Sequence, residues 1–228
     1  MSHLDSQAAR TVATGLGQLR FTLVFLGIML GANALAGTFS GQIDPLVLAA
    51  RGIGVDAIGG GDPSRFLTAI FLSHDLPMLL RQLVFAATVI GAAEWRWGTW
   101  RAAALFFGID LSATLILLAT VALVPVLDSL AGVTDVGMSM GGFGLIGVLV
   151  ATGRLRWVGL AAILALVAAK YAVAPEPLAD LGHVIALLIG AAIGIYGCRT
   201  RGRTVLPTGV LQVRRPGRPG ARQQDGRT

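Results

Sequence analysis

A serine and a histidine have the side-chain types that could carry out nucleophilic chemistry in this chain of 228 residues. A serine hydroxyl becomes a useful nucleophile only when a base takes its proton, and histidine is the commonest such base. Ser139 lies in the string GMSMG, between Gly137 and Gly141. His183 lies in the string DLGHVIALLIG, which starts at Asp180. The two residues would form a nucleophile–base pair if the fold brings them together.

Each of these residues also has a purely structural interpretation. The pattern G-x-S-x-G matches the nucleophile elbow of soluble hydrolases, but that elbow needs a strand before the serine, and a loop precedes Ser139 here. On the local string alone, a serine at a helix N-terminus or packing position is the favoured interpretation. A lone membrane histidine usually has a packing or hydrogen-bonding role. For His183 the structural and the catalytic interpretations both stay open.

Small residues surround both the serine and the histidine. Five of the eleven residues from position 137 to 147 are glycine. His183 heads a helical stripe of small residues at i+3, i+7 and i+11, which ends at Gly194. Small residues let neighbouring membrane helices approach closely, so these two segments are expected to pack together. The predicted helix-packing positions are Gly141, Gly147, Ala186 and Gly190.

The composition indicates that the elements positioning these residues are membrane helices. The chain is 54% hydrophobic and 13% charged, with a mean hydropathy of +0.74, whereas soluble domains carry about 25% charged residues. Too few polar side chains remain to cover the surface of one or two soluble domains. The apolar residues lie in long blocks, which excludes a disordered chain. We therefore predict an all-α polytopic membrane protein.

Six segments are long and apolar enough, or nearly so, to cross a membrane, which takes about 20 apolar residues. The fourth is short and rich in glycine, and no segment is typical of a cleaved signal peptide. The sequence therefore predicts a bundle of six transmembrane helices. The segments cover residues 21–37, 76–93, 102–124, 137–151, 157–173 and 178–196.

The charges between these segments predict how the chain is oriented. Eight arginines lie in the last 30 residues, and with six spans they fall on the same side as the other arginine clusters. Most of the acidic residues then fall on the other side. Because Lys and Arg collect on the cytoplasmic side, we expect both termini to lie in the cytoplasm. The clusters on the arginine-rich side are Arg10, Arg20, Arg96, Arg101, Arg154 and Arg156, together with the tail.

The chain is predicted to have one membrane domain between two flanking segments. Residues 1–20 form a cytoplasmic N-terminal segment, residues 21–197 the membrane domain, and residues 198–228 a basic, disordered tail. The net charge of +6 is concentrated in this tail, so it does not indicate a nucleic-acid partner. A solvated tail is the favoured interpretation, and contact of its arginines with anionic lipid heads is the alternative. The single cysteine, Cys198, excludes an internal disulfide and a cysteine-based metal site. No metal and no other cofactor is expected.

Other polar residues lie at segment ends or inside segments. His74 precedes the second segment, at the depth expected for the serine, and Asp75 or Ser73 could cap that helix. Asp110 falls near the middle of the third segment, where a hydrogen bond between helices and a proton or ion role both stay open. The long connection of residues 38–75 contains an apolar stretch too short to span, which we expect to lie in the interface.

Taken together, these residues resemble the rhomboid family of intramembrane serine proteases, over essentially all six segments. The family's serine helix has a G-x-S motif and a glycine eight residues after the serine, which Gly137, Ser139 and Gly147 match. Its histidine helix reads roughly A-H-x-x-G-x-x-x-G, which His183 and Gly190 match, with alanine in place of the first glycine. The string EWRWG after the second segment, and the arginine-containing segment before it, also resemble the family pattern.

The resemblance implies a mechanism and a location. Ser139 would attack a peptide carbonyl of a transmembrane substrate, and His183 would serve as general base and then as general acid. Backbone N–H groups at the start of the fourth helix, from Gly137 to Met140, would help to form the oxyanion hole. His74 would be an additional donor. The chain resembles divergent bacterial members, so a bacterial cytoplasmic membrane is expected.

The chain departs from the family pattern next to the serine and in the second segment. Met140 follows the serine where active rhomboids commonly have glycine. Leu79 and Leu83 stand where, counted from His74, active members commonly have the histidine and asparagine that hold the oxyanion. Gln82 is one residue away and would substitute if the register shifts. Loss of an oxyanion donor costs about 10²–10³ in rate in soluble proteases.

Three functions therefore stay open at this point. The first is an intramembrane serine protease that cleaves transmembrane protein substrates with a Ser–His dyad. The second is a non-catalytic rhomboid-fold membrane protein that binds membrane clients. The third, less favoured, is a small transporter that uses Asp110; internal repeats would support it, and no convincing repeat is present. The expected partners are a transmembrane substrate or client and membrane lipids, with no nucleic acid. The sequence specifies neither the substrate nor the oligomeric state.

Overall fold

The computed structural model describes residues 19–203, with side chains described as far as residue 198. Nearly all of the predicted N-terminal segment, and most of the predicted basic tail, lie outside the described residues. Within the described residues every regular element is a helix and no strand forms. The predicted all-α class is confirmed.

The described residues form nine α-helices, and each of the six predicted apolar segments lies in one of them. The six are α1, α5, α6, α7, α8 and α9 of the set that follows. In chain order the helices are α1 (Arg20–Leu35), α2 (Pro45–Arg51), α3 (Val55–Gly59), α4 (Arg65–Thr68), α5 (Leu76–Trp97), α6 (Thr99–Leu123), α7 (Ser139–Ala151), α8 (Arg156–Val173) and α9 (Pro177–Arg203).

Four of these helices, α5, α6, α8 and α9, are long and apolar enough to cross a membrane. The chain is therefore a multi-pass membrane protein. Two more helices are apolar but shorter: α1 has 16 residues and α7 has 13. At 1.5 Å per residue, 13 residues extend about 20 Å, less than the ~30 Å of a bilayer's hydrocarbon core. Helix α7 can stay short because it lies inside the bundle.

Helix α7 is the central element, with α5, α6, α8 and α9 packed around it. Its glycines permit this close packing, because a side chain at either of two positions would collide with the next helix. A Cβ atom at Gly147 would collide with the backbone oxygen of Leu187 in α9, and one at Gly190 with the backbone of Gly144 in α7. The backbones of α7 and α9 are therefore in direct contact.

The remaining predicted packing positions lie at the same helix contacts. Gly141 faces α6, where an added Cβ would lie 2.6 Å from the ring of Phe106. Ala186 is fully buried on α9. Further along, a Cβ at Gly194 would lie 2.8 Å from the Cβ of Ala151. Helices α7 and α9 thus run side by side in the same direction, with their N-termini at one end of the bundle.

The long connection between α1 and α5 folds over that end of the bundle. Its apolar stretch forms the short helices α2 and α3 rather than a span. Ile53 and Asp135 exchange both backbone hydrogen bonds, with N···O distances of 2.9 and 2.8 Å. Ile43 N–H donates to the carbonyl of His74 at 2.9 Å. The connection therefore holds the backbone of His74 and of Asp135 in place next to the start of α7.

Candidate active site

Ser139 and His183 lie within hydrogen-bonding distance of each other. Ser139 Oγ is 2.8 Å from His183 Nε2. Ser139 is the first residue of α7, and His183 lies near the start of α9. The contact is possible because Gly147 and Gly190 bring the two helix backbones together. The structure thus brings together the two residues that the sequence predicts as a pair.

The imidazole of His183 is positioned by an aromatic ring and not by an acid. Its ring stacks on Phe143 of α7, with the ring centroids 4.3 Å apart and the planes 17° from parallel. Its Nδ1 atom is 4.0 Å from Asp180 Oδ1, too far for a hydrogen bond. Asp180 instead accepts hydrogen bonds from Lys170 Nζ at 2.9 Å and from the backbone N–H of Glu176 at 2.9 Å. The arrangement is a two-residue pair without a third, acidic member.

The first turn of α7 has two backbone N–H groups without an acceptor. The first four N–H groups of any helix lack partners within the helix. Gly141 N–H donates to Asp110 Oδ1 of α6 at 2.9 Å, and Gly142 N–H donates to a backbone carbonyl at 3.1 Å. The N–H groups of Ser139 and Met140 have no acceptor in the part of the chain that the structure describes. These two donors, at the positive end of the helix dipole, could bind an oxyanion beside Ser139 Oγ.

Gly137 has a conformational role in the turn before α7. Its φ angle of 132° lies in the region that favours glycine. Its N–H donates to the carbonyl of Ala69 at 2.8 Å, so it is not available to an oxyanion. A Cβ atom at this position would collide with Gln82 Nε2 and would lie 3.1 Å from Met78 Cε. Gly137 therefore supports the site by letting α5 approach the serine, and not as a donor.

Gln82 of α5 presents an unpaired amide donor at the site. Its side chain is buried, and its Oε1 atom accepts a hydrogen bond from Ser73 Oγ at 2.9 Å. Its Nε2 atom lies against Gly137 and has no acceptor among the residues that are described. Gln82 lines the same cavity as Ser139 and His183. An amide N–H that faces this cavity without a protein acceptor is placed to bind a developing negative charge.

A buried polar network holds the Gln82 amide in place. Ser73 N–H donates to Asn33 Oδ1 of α1 at 2.9 Å, and Asn33 Nδ2 donates to the carbonyl of Phe71 at 2.8 Å. Asn33 and Ser73 are both fully buried. Since Ser73 Oγ donates to Gln82 Oε1, the network leaves the NH₂ end of the amide facing the site. The helix cap of α5 is Asp75, whose Oδ1 accepts from Met78 N–H at 2.6 Å, and not Ser73.

The positions where the family pattern has oxyanion donors point into the core in this chain. Leu79 is fully buried among the apolar residues between α1 and α5, and Leu83 packs against the same cluster. Neither side chain lines the cavity, whereas Met78 and Gln82, four residues apart on one face of α5, both do. The face of α5 that meets the site is therefore the one that carries Gln82.

Met140, the residue after the serine, also points away from the site. Its side chain is buried between α6 and α9, with its Sδ atom 3.5 Å from Thr114 Oγ1. A Cβ atom on Gly182 of α9 would lie 3.2 Å from that sulfur. Glycine at position 182 thus leaves room for the large residue at position 140. Only the backbone of Met140 contributes to the site.

His74 lies at the rim of the cavity and is paired with an acid. Its Nε2 atom is 3.2 Å from Asp135 Oδ1, and that carboxylate also accepts from the N–H of Val136 at 2.8 Å. The hydrogen bond to Asp135 raises the pKa of His74, although partial burial opposes the shift. The structure places His74 in the same cavity as the serine, but the partner of its Nε2 atom is Asp135.

An open cavity of about 650 Å³ surrounds these groups. This volume lies within the 300–1,000 Å³ that is usual for ligand pockets, which are mostly apolar with a few convergent polar groups. The cavity is therefore large enough for a largely apolar ligand next to Ser139 Oγ. Its apolar walls include Met78, Phe85, Leu130, Val133, Phe143 and Leu178.

Metal-ligand clusters and similarity to known proteins both bear on the function of the site. Among the described residues, no group of three or more His, Cys, Asp or Glu side chains could hold a metal ion. Comparison with protein-family models and with curated proteins returned no match to the chain.

Proposed function

We propose that this protein is an intramembrane serine protease of the rhomboid type, which cleaves transmembrane protein substrates. The observation that carries the proposal is the 2.8 Å contact between Ser139 Oγ and His183 Nε2. The contact lies at the N-terminus of a helix and opens into a largely apolar cavity. A nucleophile, a base, free N–H donors and an apolar binding cleft are the groups that peptide-bond hydrolysis requires.

The residues of the site would act in the following order. Ser139 Oγ attacks the carbonyl carbon of the substrate as His183 Nε2 takes the hydroxyl proton. The negative charge that develops on the carbonyl oxygen is bound by the N–H groups of Ser139 and Met140 and by Gln82 Nε2. The carbon–nitrogen bond then breaks, and the leaving amine takes the proton from His183. Water, deprotonated by the same histidine, finally hydrolyses the acyl-serine ester.

The proposal includes six membrane-spanning helices, with both termini on the cytoplasmic side of a bacterial inner membrane. Helices α1 and α7 would complete the four longer spans, because α7 is enclosed by other helices and does not face lipid over its full length. The charge distribution supports the orientation. Arg96, at the end of α5, and Arg101, near the start of α6, lie at one end of the bundle, as do Arg154 and Arg156 where α7 is followed by α8. The opposite end carries most of the acidic residues.

A second candidate function is binding of membrane clients without catalysis. The observation that favours it is that Leu79 is buried in the core and that Leu83, partly buried, packs against that core. The histidine and asparagine that are common in active rhomboids have no counterpart at these two positions. Catalysis would then depend on Gln82 and the backbone donors alone.

The test is cleavage of a single-span transmembrane protein by the purified full chain in lipid vesicles. Ser139→Ala and His183→Ala should each lower the rate at least about a thousandfold, and the double variant should be no slower, because nucleophile and base act as one unit. Ser112→Ala is the matched control, because Ser112 is an exposed serine of α6 that bonds only to its own helix. It should cleave at the wild-type rate.

Two results would contradict the protease proposal. One is cleavage that persists in Ser139→Ala after host proteases have been removed. The other is a wild-type protein that neither cleaves any substrate nor reacts with a fluorophosphonate probe at Ser139. The second result would support the client-binding function.

A further inference from the structure

A second cavity, of about 540 Å³, opens at the end of the bundle that is remote from the Ser139–His183 pair. Helices α7 and α9 run in the same direction, and their first turns carry the pair. The cavity lies instead against the last turn of α7, at Thr152, and against the later turns of α9, at Ile193. Its remaining wall is the turn from α5 to α6. We call it the arginine-end cavity.

Two guanidinium groups at the mouth of this cavity are uncompensated. Arg96 and Arg101 both line it and are both exposed. Neither has an ion-pair or hydrogen-bond partner within the described part of the chain, and no acidic residue lines the cavity. The cavity mouth therefore carries two positive charges that no acidic side chain of the described residues neutralises.

Glu94, the acidic residue nearest to Arg96 in the sequence, forms its hydrogen bonds with other residues. Glu94 is almost fully buried. Its carboxylate accepts hydrogen bonds from the N–H groups of Phe21 and Thr22, at 2.8 Å each, and from Thr99 Oγ1 at 2.6 Å. Glu94 thus caps the start of α1 and does not compensate the two arginines. An external anion would have to do so.

The rest of the cavity is apolar and lies at the edge of the membrane. The apolar side chains that line the cavity with the two arginines include Leu105, Val148 and Ile193. Trp97 lines the cavity, and Trp95 and Trp100, each next to one of the two arginines in the sequence, are 66% and 87% exposed. Tryptophan is enriched at the level of the lipid headgroups. A cationic mouth above an apolar wall, at that level, matches an amphipathic anion rather than a soluble one.

We propose that the arginine-end cavity binds one anionic phospholipid. Arg96 and Arg101 bind the headgroup phosphate, because the planar guanidinium fork matches phosphate oxygens in geometry and charge. One acyl chain lies along Leu105, Val148 and Ile193. The site is independent of proteolysis, since it shares no residue with the Ser139–His183 cavity.

The test is native mass spectrometry of the detergent-purified full chain with phosphatidylglycerol or with phosphatidylcholine of the same acyl chains. One phosphatidylglycerol should bind about 30-fold more tightly, because each arginine near an anionic headgroup contributes about a fivefold preference. Arg96→Gln combined with Arg101→Gln should reduce the ratio to near one. The matched control combines Arg154→Gln with Arg156→Gln, which removes two charges at the same end outside the cavity. It should keep the preference.

A second variant separates lipid binding from binding of a free phosphate. Ile193→Trp leaves both arginines in place and fills the apolar part of the cavity, so it should weaken phosphatidylglycerol binding severalfold. Soluble glycerol phosphate at the same concentration should not displace the lipid. Cys198, the one cysteine of the chain, lines the cavity, and phosphatidylglycerol should slow its reaction with a bulky maleimide in the wild type.

Three results would overturn the proposal. The first is an unchanged lipid preference in the Arg96→Gln/Arg101→Gln variant, and the second is an equal loss in the control pair. The third is full displacement of the lipid by glycerol phosphate, which would make this a site for a free anion. If the double arginine variant does not fold, Ile193→Trp and the labelling of Cys198 decide the question.

Discussion

Gln82 is the side chain whose role best distinguishes the proposed protease from a non-catalytic protein of the same fold. Its Nε2 atom is the one side-chain N–H in the described residues that is unpaired and lies against the turn leading into the serine helix. The network through Ser73 and Asn33 holds that amide with two buried hydrogen bonds and a third that is partly buried. Such a network costs free energy if any member is left unpaired. Its presence beside Ser139 is therefore consistent with a need for accurate placement of the amide.

Replacement of Gln82 by leucine should lower kcat about 10²- to 10³-fold and change KM little, as loss of one oxyanion donor does in soluble proteases. The measurement is cleavage of a single-span substrate in vesicles over a range of substrate concentrations. Thr88→Val, at an exposed position of the same helix whose hydroxyl bonds only to that helix, is the matched control and should retain a wild-type kcat. A Gln82→Leu enzyme with the wild-type kcat would remove Gln82 from the proposed mechanism.

The pairing of His74 with Asp135 predicts a pH-dependent contribution to stability. The pKa of His74 is raised mainly by its hydrogen bond to Asp135, so the folded state holds the proton more tightly than the unfolded state. The stabilisation is fully present below the unfolded pKa of about 6.5 and is lost as the pH rises through the raised pKa of the folded state. The effect should be small, because the His74 side chain is 38% exposed.

Asp135→Asn should therefore lower the unfolding temperature more at pH 5.5 than at pH 9, relative to the wild type. The comparison uses thermal unfolding of the detergent-solubilised protein at both pH values. Asp128→Asn, at an exposed position in the same connection, is the control. It should change the unfolding temperature only slightly, and by the same amount at pH 5.5 and pH 9. An Asp135→Asn deficit that is independent of pH would show that the pair acts through its hydrogen bond alone and not through its charge.

At the level of the helices, the contact between α7 and α9 decides whether Ser139 and His183 meet. A methyl group at Gly190 would collide with the backbone of Gly144, so it would push the two helices apart. The same change at Gly108 of α6 meets nothing within 4 Å. Gly190→Ala and Gly108→Ala both place a methyl group on a helix, but only the first would collide with the backbone of a neighbouring helix.

Gly190→Ala should destabilise the protein by about 1–3 kcal/mol, the usual cost of overpacking. It should also lower or abolish cleavage, because it separates nucleophile and base. Gly108→Ala should be neutral or slightly stabilising, since alanine favours a helix over glycine by about 1 kcal/mol. Thermal unfolding and cleavage measured on both variants test the pair. Equal stability of the two would mean that α7 and α9 do not touch backbone to backbone.

Asp110 links α6 to the first turn of α7. Its Oδ1 atom accepts from Gly141 N–H at 2.9 Å, which favours the structural interpretation of this buried acid over a transport role. The bond satisfies one of the four unpaired N–H groups at the helix start and leaves those of Ser139 and Met140 free. Asp110 is thus a positioning residue for the start of α7.

Asp110→Leu should destabilise the protein by about 1–3 kcal/mol, because it leaves the N–H of Gly141 buried and unpaired. Asp110→Asn keeps a carbonyl acceptor at the same place and should be affected much less. The measurement is thermal unfolding of both variants, together with the cleavage rate. If the asparagine variant were as impaired as the leucine variant, a role for the acid's charge or proton would follow instead.

For the molecule as a whole, the separation of charge between its two ends predicts the topology. Arginines collect at one end of the bundle, and the acidic residues of the connections collect at the other. A reporter enzyme fused after Arg203 should therefore behave as cytoplasmic, and one inserted near Asp128 as external. The reverse pattern, in cells that express both fusions at similar levels, would overturn the predicted orientation and place the Ser139–His183 pair at the cytoplasmic side.

The local pattern of the sequence was sufficient to predict the helices and the central pair. Hydropathy and the lengths of apolar runs locate each helix, because a segment enters the membrane largely on its own composition. The small residues after Ser139 and His183 predict that their helices touch, because only small residues permit that approach. Both signals are contained within short stretches of sequence, so no knowledge of distant residues was required.

Only the tertiary structure showed which residues surround and position the Ser139–His183 pair. Leu83 stands at one of the family's donor positions and Gln82 is one residue away from it, and the rotation of α5 about its axis determines that Gln82 faces the site. Asn33 and Asp110 each bond to a residue more than 30 positions away. Hydropathy fixes neither the rotation of a helix nor the partner of a buried polar group, because both depend on how all the helices pack at once.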